Sequence, residues 1–191
     1  METIVQIGAH KGYDDLTDII KSSYNVDDIH LILIEPQSEF NEYLVECYRD
    51  YNYLIENILI NTDTNFNSTK FYKCSDDLDK EISSMNPQHL MKHGKSTFSE
   101  VDIPCITINN LLLKYQIKNI DILFIDAEGY DGDIIKSINF DIFNIKNIFY
   151  ENLHLNNNNE IIDFLQSKNY NVYTNILNNG WTNKATKIPL V

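Results

Sequence analysis

The run that decides the fold lies near the start of the chain and reads Thr3-Ile4-Val5-Gln6-Ile7-Gly8-Ala9-His10-Lys11-Gly12-Tyr13. Its first five residues are mostly aliphatic and predict a strand that is buried on both faces. Residues 14–23 follow with a helical period, because Leu16, Ile19 and Ile20 fall on one stripe. The two glycines in between let the backbone turn sharply and approach a ligand closely. A strand, a glycine turn and a helix in this order are typical of an open α/β sheet.

Short apolar runs and helical segments alternate in the same way along the rest of the chain. Further strands are predicted at residues 29–34, 54–60, 120–125, 145–150, 170–174 and near 184–189, and further helices at 38–48, 109–115, 132–138 and 159–167. Most of these strands are rich in Ile, which indicates burial on both faces and parallel pairing. The sequence predicts one α/β domain over residues 1–191, with a mostly parallel, doubly wound sheet of seven strands and helices on both faces. A short extra strand at 70–73 could add a hairpin.

Composition and charge narrow the classes of partner. The 191 residues carry 28 acidic and 15 basic side chains, which gives a formal net charge of -13 at pH 7. Phosphate backbones would be repelled by such a surface, so we expect no nucleic-acid partner. No apolar run has the length of a membrane helix, so we expect no membrane partner either. The N-terminus lacks a basic region and the three cysteines lack C-x-x-C spacing, so we expect a reduced, cytoplasmic protein without a signal peptide.

The ends of the first two predicted strands carry features of a nucleoside site. The turn from Gly8 to Gly12 reads G-x-x-x-G, whereas a dinucleotide-binding loop reads G-x-G-x-x-G. The second strand ends in Ile34-Glu35-Pro36, and the Glu35 carboxylate could accept hydrogen bonds from both hydroxyls of a ribose. Alternatively, the glycines form a plain turn and Glu35 is an acidic charge at the start of the second helix. The order of strand, glycine loop, helix, strand and acid favours an adenosine pocket.

Four carboxylates lie within eight residues after the strand at 120–125, namely Asp126, Glu128, Asp131 and Asp133. Like charges this close raise one another's pKa, so the cluster predicts either a bound cation or a catalytic base. An acidic N-terminus of the next helix would explain Asp131 and Asp133. It does not explain Asp126 and Glu128, which stand at the strand end where open α/β sheets bind ligands.

Several motifs resemble the FkbM family of S-adenosylmethionine-dependent methyltransferases. They lie, in order, at residues 5–13, 34–36, 83–90, 106–112, 125–131 and 150–155, and the D-x-E-G-Y-D run at 126–131 is the most specific of them. The resemblance covers roughly residues 4–175 and departs at His10, where the family more often has Asn. It implies a Rossmann-like methyltransferase fold, S-adenosylmethionine as cofactor, and methyl transfer to oxygen, frequently to a hydroxyl of a sugar, sugar nucleotide or glycan-like acceptor.

Roles for individual residues follow from the resemblance. The implied cofactor-binding residues are Gly8, Ala9, His10, Gly12, Glu35, Pro36, Asn61, Asp63 and Asp126. The implied catalytic residues are Asp126, Glu128 and His154, and the implied acceptor-binding residues are Tyr130, Asp131, Glu151 and His89. Some sugar O-methyltransferases use Mg²⁺, for which Asp126 and Glu128 could supply oxygen ligands. No other metal site is predicted: His89 and His93 could share a helical face, as zinc ligands do, but no acid or cysteine stands in a matching motif.

Several alternatives stay open at this stage. Residues 75–104 have weak periodicity, and we predict that they form a lid over the acceptor. The chain could also be a methyltransferase-like protein that binds a nucleoside cofactor without catalysis. An NAD-dependent oxidoreductase is disfavoured, because the glycine fingerprint is absent and the chain is too short for a second substrate domain. A homo-oligomer is compatible with the sequence.

Overall fold

The computed structural model describes residues 1–74, 83–155, 157–177 and 180–189. In chain order the elements are β1 (Glu2–Ile7), α1 (Asp15–Ser23), β2 (Ile29–Ile34), α2 (Asn41–Tyr48), β3 (Asn52–Glu56), β4 (Leu59–Ile60), β5 (Ser68–Cys74), α3 (Pro87–Lys92), β6 (Phe98–Ile106), α4 (Ile108–Lys114), β7 (Asn119–Ile125), α5 (Asp131–Ser137), β8 (Asn144–Glu151), α6 (Asn158–Ser167), β9 (Tyr170–Tyr173) and β10 (Thr182–Lys187). Of the helices that the structure describes, none has the length and apolarity to cross a bilayer.

A seven-stranded sheet forms the centre of the molecule, in the order β3-β2-β1-β7-β8-β10-β9. Neighbouring strands from β3 to β8 pair in parallel, and β10 pairs antiparallel with both of its neighbours. The chain runs outward from β1 through β2 to β3 and returns to β7 on the other side of β1. The strand order therefore reverses between β1 and β7, and this reversal opens a crevice at their carboxyl ends. The predicted α/β fold with a mostly parallel sheet is confirmed.

The core lies on both faces of this sheet because neighbouring residues of a strand point to opposite sides. In β1, Val5 and Ile7 belong to a buried cluster that includes apolar residues of α4, α5 and α6. Ile4 belongs to a second cluster with Leu16 of α1 and Leu44 of α2. Helices thus cover both faces, as the sequence predicts.

The structure differs from the sequence prediction between residues 54 and 106. The predicted strand at 54–60 is divided into β3, in the main sheet, and β4, which pairs with β6 in a separate three-stranded sheet of order β4-β6-β5. The predicted extra strand is longer than expected, since β5 pairs antiparallel with β6 over its whole length. It does not form a hairpin, because α3 lies between β5 and β6 in the chain. The sequence did not indicate β6, since Glu100, Asp102 and Pro104 are residue types that strands disfavour.

The predicted lid at 75–104 is a more regular segment than its sequence suggests. Residues 75–82 lie outside the described part of the chain. Ser84 bridges to Tyr72, α3 follows with Asn86 as its N-cap, and residues 98–104 pair along the whole of β5. Within the described residues a lid movement would therefore involve residues 83–97, and that movement stays a prediction.

Candidate active site

A cavity of about 270 Å³ lies at the carboxyl ends of β1, β2 and β7, where the strand order reverses. Its polar lining includes His10, Asp14, Glu35, Asp126 and Glu128, and its apolar lining includes Ile58, Leu59, Ile60, Phe71 and Met85. A cavity that combines an apolar wall with a few converging charged groups at a topological switch point is typical of a small-molecule site.

Gly8 lies where the ends of β1, β2 and β7 meet beside this cavity. Its backbone has a φ of +79°, and a Cβ atom added to it would lie 1.9 Å from the backbone oxygen of Asp126. The Gly8 N–H donates to the Ile34 carbonyl, and the Asp126 N–H donates to the Ile7 carbonyl. Only glycine fits here, because any side chain would clash with the backbone that follows β7.

Glu35 is a buried carboxylate that the glycine loop holds in place. Its side chain is part of the cavity wall although the residue is only 4% exposed. Oε2 accepts the N–H of His10 and Oε1 accepts the N–H of Gln37, both at 2.8 Å. Burial raises the pKa of Glu35 to about 7, against the opposing effect of the two backbone hydrogen bonds. Each oxygen retains a lone pair for a further donor.

Of the four loop residues named as cofactor-binding, Gly8 and His10 line the cavity, whereas Ala9 and Gly12 do not. His10 lines the cavity with a φ of 43°, a backbone conformation in which Asn is enriched, as is His to a lesser degree. Ala9 is fully buried in the core, and a Cβ on Gly12 would meet Tyr48 and Leu44 at 3.0 and 3.1 Å. Ala9 and Gly12 therefore pack against α2 and the sheet and do not line the cavity.

Asn61 and Asp63, two of the implied cofactor-binding residues, are not part of the cavity lining. Asn61 Oδ1 accepts the N–H of Asp63, and Asp63 in turn accepts the N–H of Asn65 in an exposed turn. The residues just before them, 58–60, present apolar side chains to the cavity instead. Pro36 lines the cavity.

Asp126 stands between two cavities. Its side chain is exposed to the open space of the first cavity and also lines a second one of about 200 Å³, which Asp14, Asp15, Glu151 and Thr182 border. The surrounding protein raises its pKa well above the usual value, first by desolvation and then by the negative charges of Glu151, Asp131 and Glu128. A carboxylate in this position favours a cationic neighbour.

Glu128 connects the cavity to a group of histidines. Its backbone is in the left-handed region with a φ of 49°, and its Oε2 lies 3.0 Å from His89 Nε2 and 3.7 Å from His154 Nε2. A Cβ on Gly129 would lie 3.3 Å from the Cβ of His154, so this turn approaches the end of β8 closely. Burial lowers the pKa of His154, although the charge of Glu128 opposes the shift.

Glu151 and Asp131 lie behind the cavity wall. Glu151 Oε2 is 3.9 Å from His154 Nε2 and has no hydrogen-bond partner among the described residues; burial, together with Asp131 and Glu128, raises its pKa to about 8. Asp131 is fully buried and accepts the N–H groups of Ala127 and Glu151 at 3.2 and 3.1 Å. Its oxygens link the residues after β7 to the end of β8, which is a structural role. Asp131 has no exposed surface with which to bind an acceptor.

Tyr130 and two groups of potential metal ligands complete the site. The Tyr130 hydroxyl lies 2.6 Å from Thr62 Oγ1, and its ring lines the cavity. Among the described residues, two groups place three metal-type ligand atoms within 4.8 Å of one another, namely His89 with His93 and His154, and Glu128 with Glu151 and His154. Asp126 belongs to neither group, so the structure does not favour the predicted Mg²⁺ ligand pair of Asp126 and Glu128.

Sequence reasoning missed Asp14 and Gln37 in the cavity region. Asp14 is the N-cap of α1, where it accepts the N–H of Thr17 at 2.9 Å and a hydrogen bond from the side chain of Gln6. An acid immediately before a helical pattern is a cap signal that marks this position. Gln37 follows Glu35-Pro36 and contributes its backbone N–H, for which side-chain type gives no signal.

Comparison with known proteins agrees with this architecture. The model of the methyltransferase FkbM domain matches residues 6–172, and a search of curated proteins gives no match. A precorrin-6y C5,15-methyltransferase from Geobacter metallireducens GS-15 has a similar structure, with a TM-score of 0.50, 11% identity, and coverage of 97% of this chain and 80% of that chain. A TehB-like SAM-dependent methyltransferase from Corynebacterium glutamicum gives a TM-score of 0.43 at 6% identity, with coverage of 98% and 80%.

The similarity to the precorrin-6y methyltransferase concerns the fold alone, whereas the family match covers most of the chain and includes the residues that line the cavity. It also decides against the oxidoreductase alternative. The chain therefore belongs to the FkbM family of S-adenosylmethionine-dependent methyltransferases.

Proposed function

We propose that this protein transfers the methyl group of S-adenosylmethionine to a hydroxyl of a sugar, sugar nucleotide or glycan-like acceptor. The observation that carries the proposal is one cavity at the β1/β7 reversal that combines the buried Glu35 with the carboxylates Asp126 and Glu128. Family membership supports the transfer of a methyl group. Transfer to a hydroxyl oxygen goes beyond that membership and is part of the proposal.

The cavity residues fit the parts of this cofactor. Glu35 is held by two backbone N–H groups and could accept hydrogen bonds from the ribose hydroxyls with its remaining lone pairs. The apolar residues 58–60 offer a surface for a flat, weakly polar base. The acidic residues Asp14, Asp126 and Glu128 line the cavity, which suits the positive charge of a sulfonium better than a pyrophosphate.

The chemistry requires little beyond positioning and a base. When bound, the cofactor supplies an electrophilic methyl on a sulfonium whose leaving group is a neutral thioether, so no general acid is needed. The protein has to place the acceptor hydroxyl in line and take up its proton. Asp126 and Glu128 line the cavity where this proton would be released, and His154 lies 3.7 Å from Glu128 as a further carrier.

Transfer of labelled methyl groups tests the proposal. The protein is incubated with methyl-tritiated S-adenosylmethionine and a panel of sugar nucleotides, oligosaccharides, and amine or thiol compounds of similar size. We expect acid-stable and base-stable label on at least one hydroxyl acceptor, and slower transfer by a Glu35→Ala variant at the same subsaturating cofactor concentration. Transfer confined to the amine or thiol compounds would refute the oxygen acceptor. Absence of any S-adenosylhomocysteine binding would refute the cofactor assignment as well.

A further inference from the structure

We propose that His89, His93 and His154, together with Glu128, bind one divalent transition-metal ion beside the cavity. His89 lies on α3 and His93 is the C-cap of that helix, so their side chains are one helical turn apart. His154 follows β8, and Glu128 follows β7. Three distant parts of the chain therefore bring four side chains of ligand type to one place.

The distances among these groups resemble those of a metal site. The three imidazole rings contact one another pairwise, with centroid separations of 4.7, 4.7 and 4.8 Å, and their ligand atoms lie within 4.8 Å of one another. Glu128 Oε2 is 3.0 Å from His89 Nε2 and 3.7 Å from His154 Nε2. Tetrahedral ligands at the usual zinc distances lie about 3.4 Å apart, which falls between these two values. His93 is exposed, so its side chain can rotate toward the other three without disturbing the core.

A second observation is an unpartnered carboxyl oxygen beside these ligands. Glu151 Oε2 is buried, has no hydrogen-bond partner among the described residues, and lies 3.9 Å from His154 Nε2. An unpaired buried carboxylate oxygen is costly, and a nearby cation would offset that cost. Its ligand atom, that of Glu128 and that of His154 are also within 4.8 Å of one another. A metal ion on the histidines would therefore have two carboxylates next to it.

The donor set selects the class of ion. Three imidazole nitrogens and one carboxylate oxygen suit Zn²⁺, Co²⁺, Ni²⁺ or Fe²⁺, whereas Mg²⁺ and Ca²⁺ prefer oxygen ligands. The inference does not rest on the proposed methyl acceptor, although its ligands Glu128 and His154 also take part in the proposed proton transfer. With an ion bound, Glu128 would be a ligand and Asp126 would remain in the cavity to accept the proton.

Titration with Co²⁺ and Zn²⁺ tests the site. The full chain, prepared without a histidine tag and treated with a chelator, is titrated with Co²⁺ while its visible absorption is recorded. We expect one equivalent to give the intense bands of four-coordinate Co²⁺, and Zn²⁺ with a Kd of about 1 µM or lower to displace it. Excess Mg²⁺ should displace none of it. His93→Ala and His154→Ala should each weaken Zn²⁺ binding at least about tenfold.

Gln88→Ala is the matched control, because Gln88 is an exposed residue of the same helix. It should bind Co²⁺ and Zn²⁺ as the unaltered protein does. His93→Ala should also keep the melting temperature of the metal-free protein, since His93 is exposed; the test remains decisive even if the His154 variant fails to fold. The absence of saturable binding at one equivalent would overturn the proposal, and so would equal affinity of the His93→Ala and Gln88→Ala variants.

Discussion

Replacement of Glu35 by Ala should weaken the binding of S-adenosylhomocysteine by about 1.5–3 kcal/mol, or roughly 10- to 150-fold in Kd. The magnitude follows from the contacts of Glu35. Its two oxygens are held by the N–H groups of His10 and Gln37 at 2.8 Å, and Glu35 lines the cavity. A ligand hydroxyl would gain a hydrogen bond to a carboxylate that is already ordered, so little entropy is lost on binding.

The pH dependence sharpens this prediction. Burial raises the pKa of Glu35 to about 7, so the carboxylate is about half ionised at neutral pH. Since hydroxyl donors favour the ionised form, affinity should rise between about pH 6 and pH 8, and Glu35→Gln should lose most of that rise.

Calorimetric titration at several pH values measures both effects. Glu39→Gln is the control. Glu39 pairs with Lys73 and its charge acts on Glu35, but Glu39 does not line the cavity. It should change the affinity less than twofold. If Glu35→Ala and Glu39→Gln behaved alike, Glu35 would act only through its charge, and direct contact with the ribose would be refuted.

Three further predictions follow from the same structure. Gly8→Ala should abolish cofactor binding and lower stability, because the new Cβ would lie 1.9 Å from the backbone oxygen of Asp126. Gly94→Ala is the control: Gly94 has a similar φ but open space around it, so the substitution should cost only about 1 kcal/mol by thermal unfolding. Asp126→Asn and Glu128→Gln should cut turnover by about 100-fold with donor affinity near that of the unaltered protein, and normal rates in both would make the cluster structural. Burial raises the pKa of Asp131 to about 7 from an ordinary 3.8, so the folded state favours the protonated carboxyl group. The contribution of Asp131 to the free energy of unfolding is therefore complete below about pH 4 and is lost as the pH rises through 7. Urea unfolding between pH 4 and pH 7 should show this loss, and Asp131→Asn should reduce the dependence of stability on pH. A free energy of unfolding that rises from pH 4 to pH 7 would contradict the prediction.

The sheet could be predicted because its strands obey simple rules. Strands that are buried on both faces, such as 120–125, show long aliphatic runs, and the helices between them show a clear period. The second sheet could not be predicted, since β6 is half exposed and carries charged residues and a proline. Its pairing with β5 depends on tertiary contacts that no local pattern records.

The site was predictable at strand ends and less so elsewhere. Glu35, Asp126 and Glu128 line the cavity because topology alone brings the carboxyl ends of β1, β2 and β7 together. Within the glycine loop, residue type did not distinguish Gly8, at the cavity, from Gly12, which packs on α2. The histidine group was visible only in part. The spacing of His89 and His93 is local, whereas the approach of His154 and Glu128 is a long-range contact.

The central claim is that the cavity at the β1/β7 reversal promotes methyl transfer from S-adenosylmethionine to a hydroxyl. The most direct measurement follows an isotopically labelled methyl group by NMR during turnover with a hydroxyl acceptor, while S-adenosylhomocysteine is quantified in parallel. We expect a methyl resonance of an ether carbon that grows in equal amount with S-adenosylhomocysteine, and we expect Asp126→Asn to slow both together. A labelled methyl on nitrogen, carbon or sulfur, or S-adenosylhomocysteine formed without a methylated product, would contradict it.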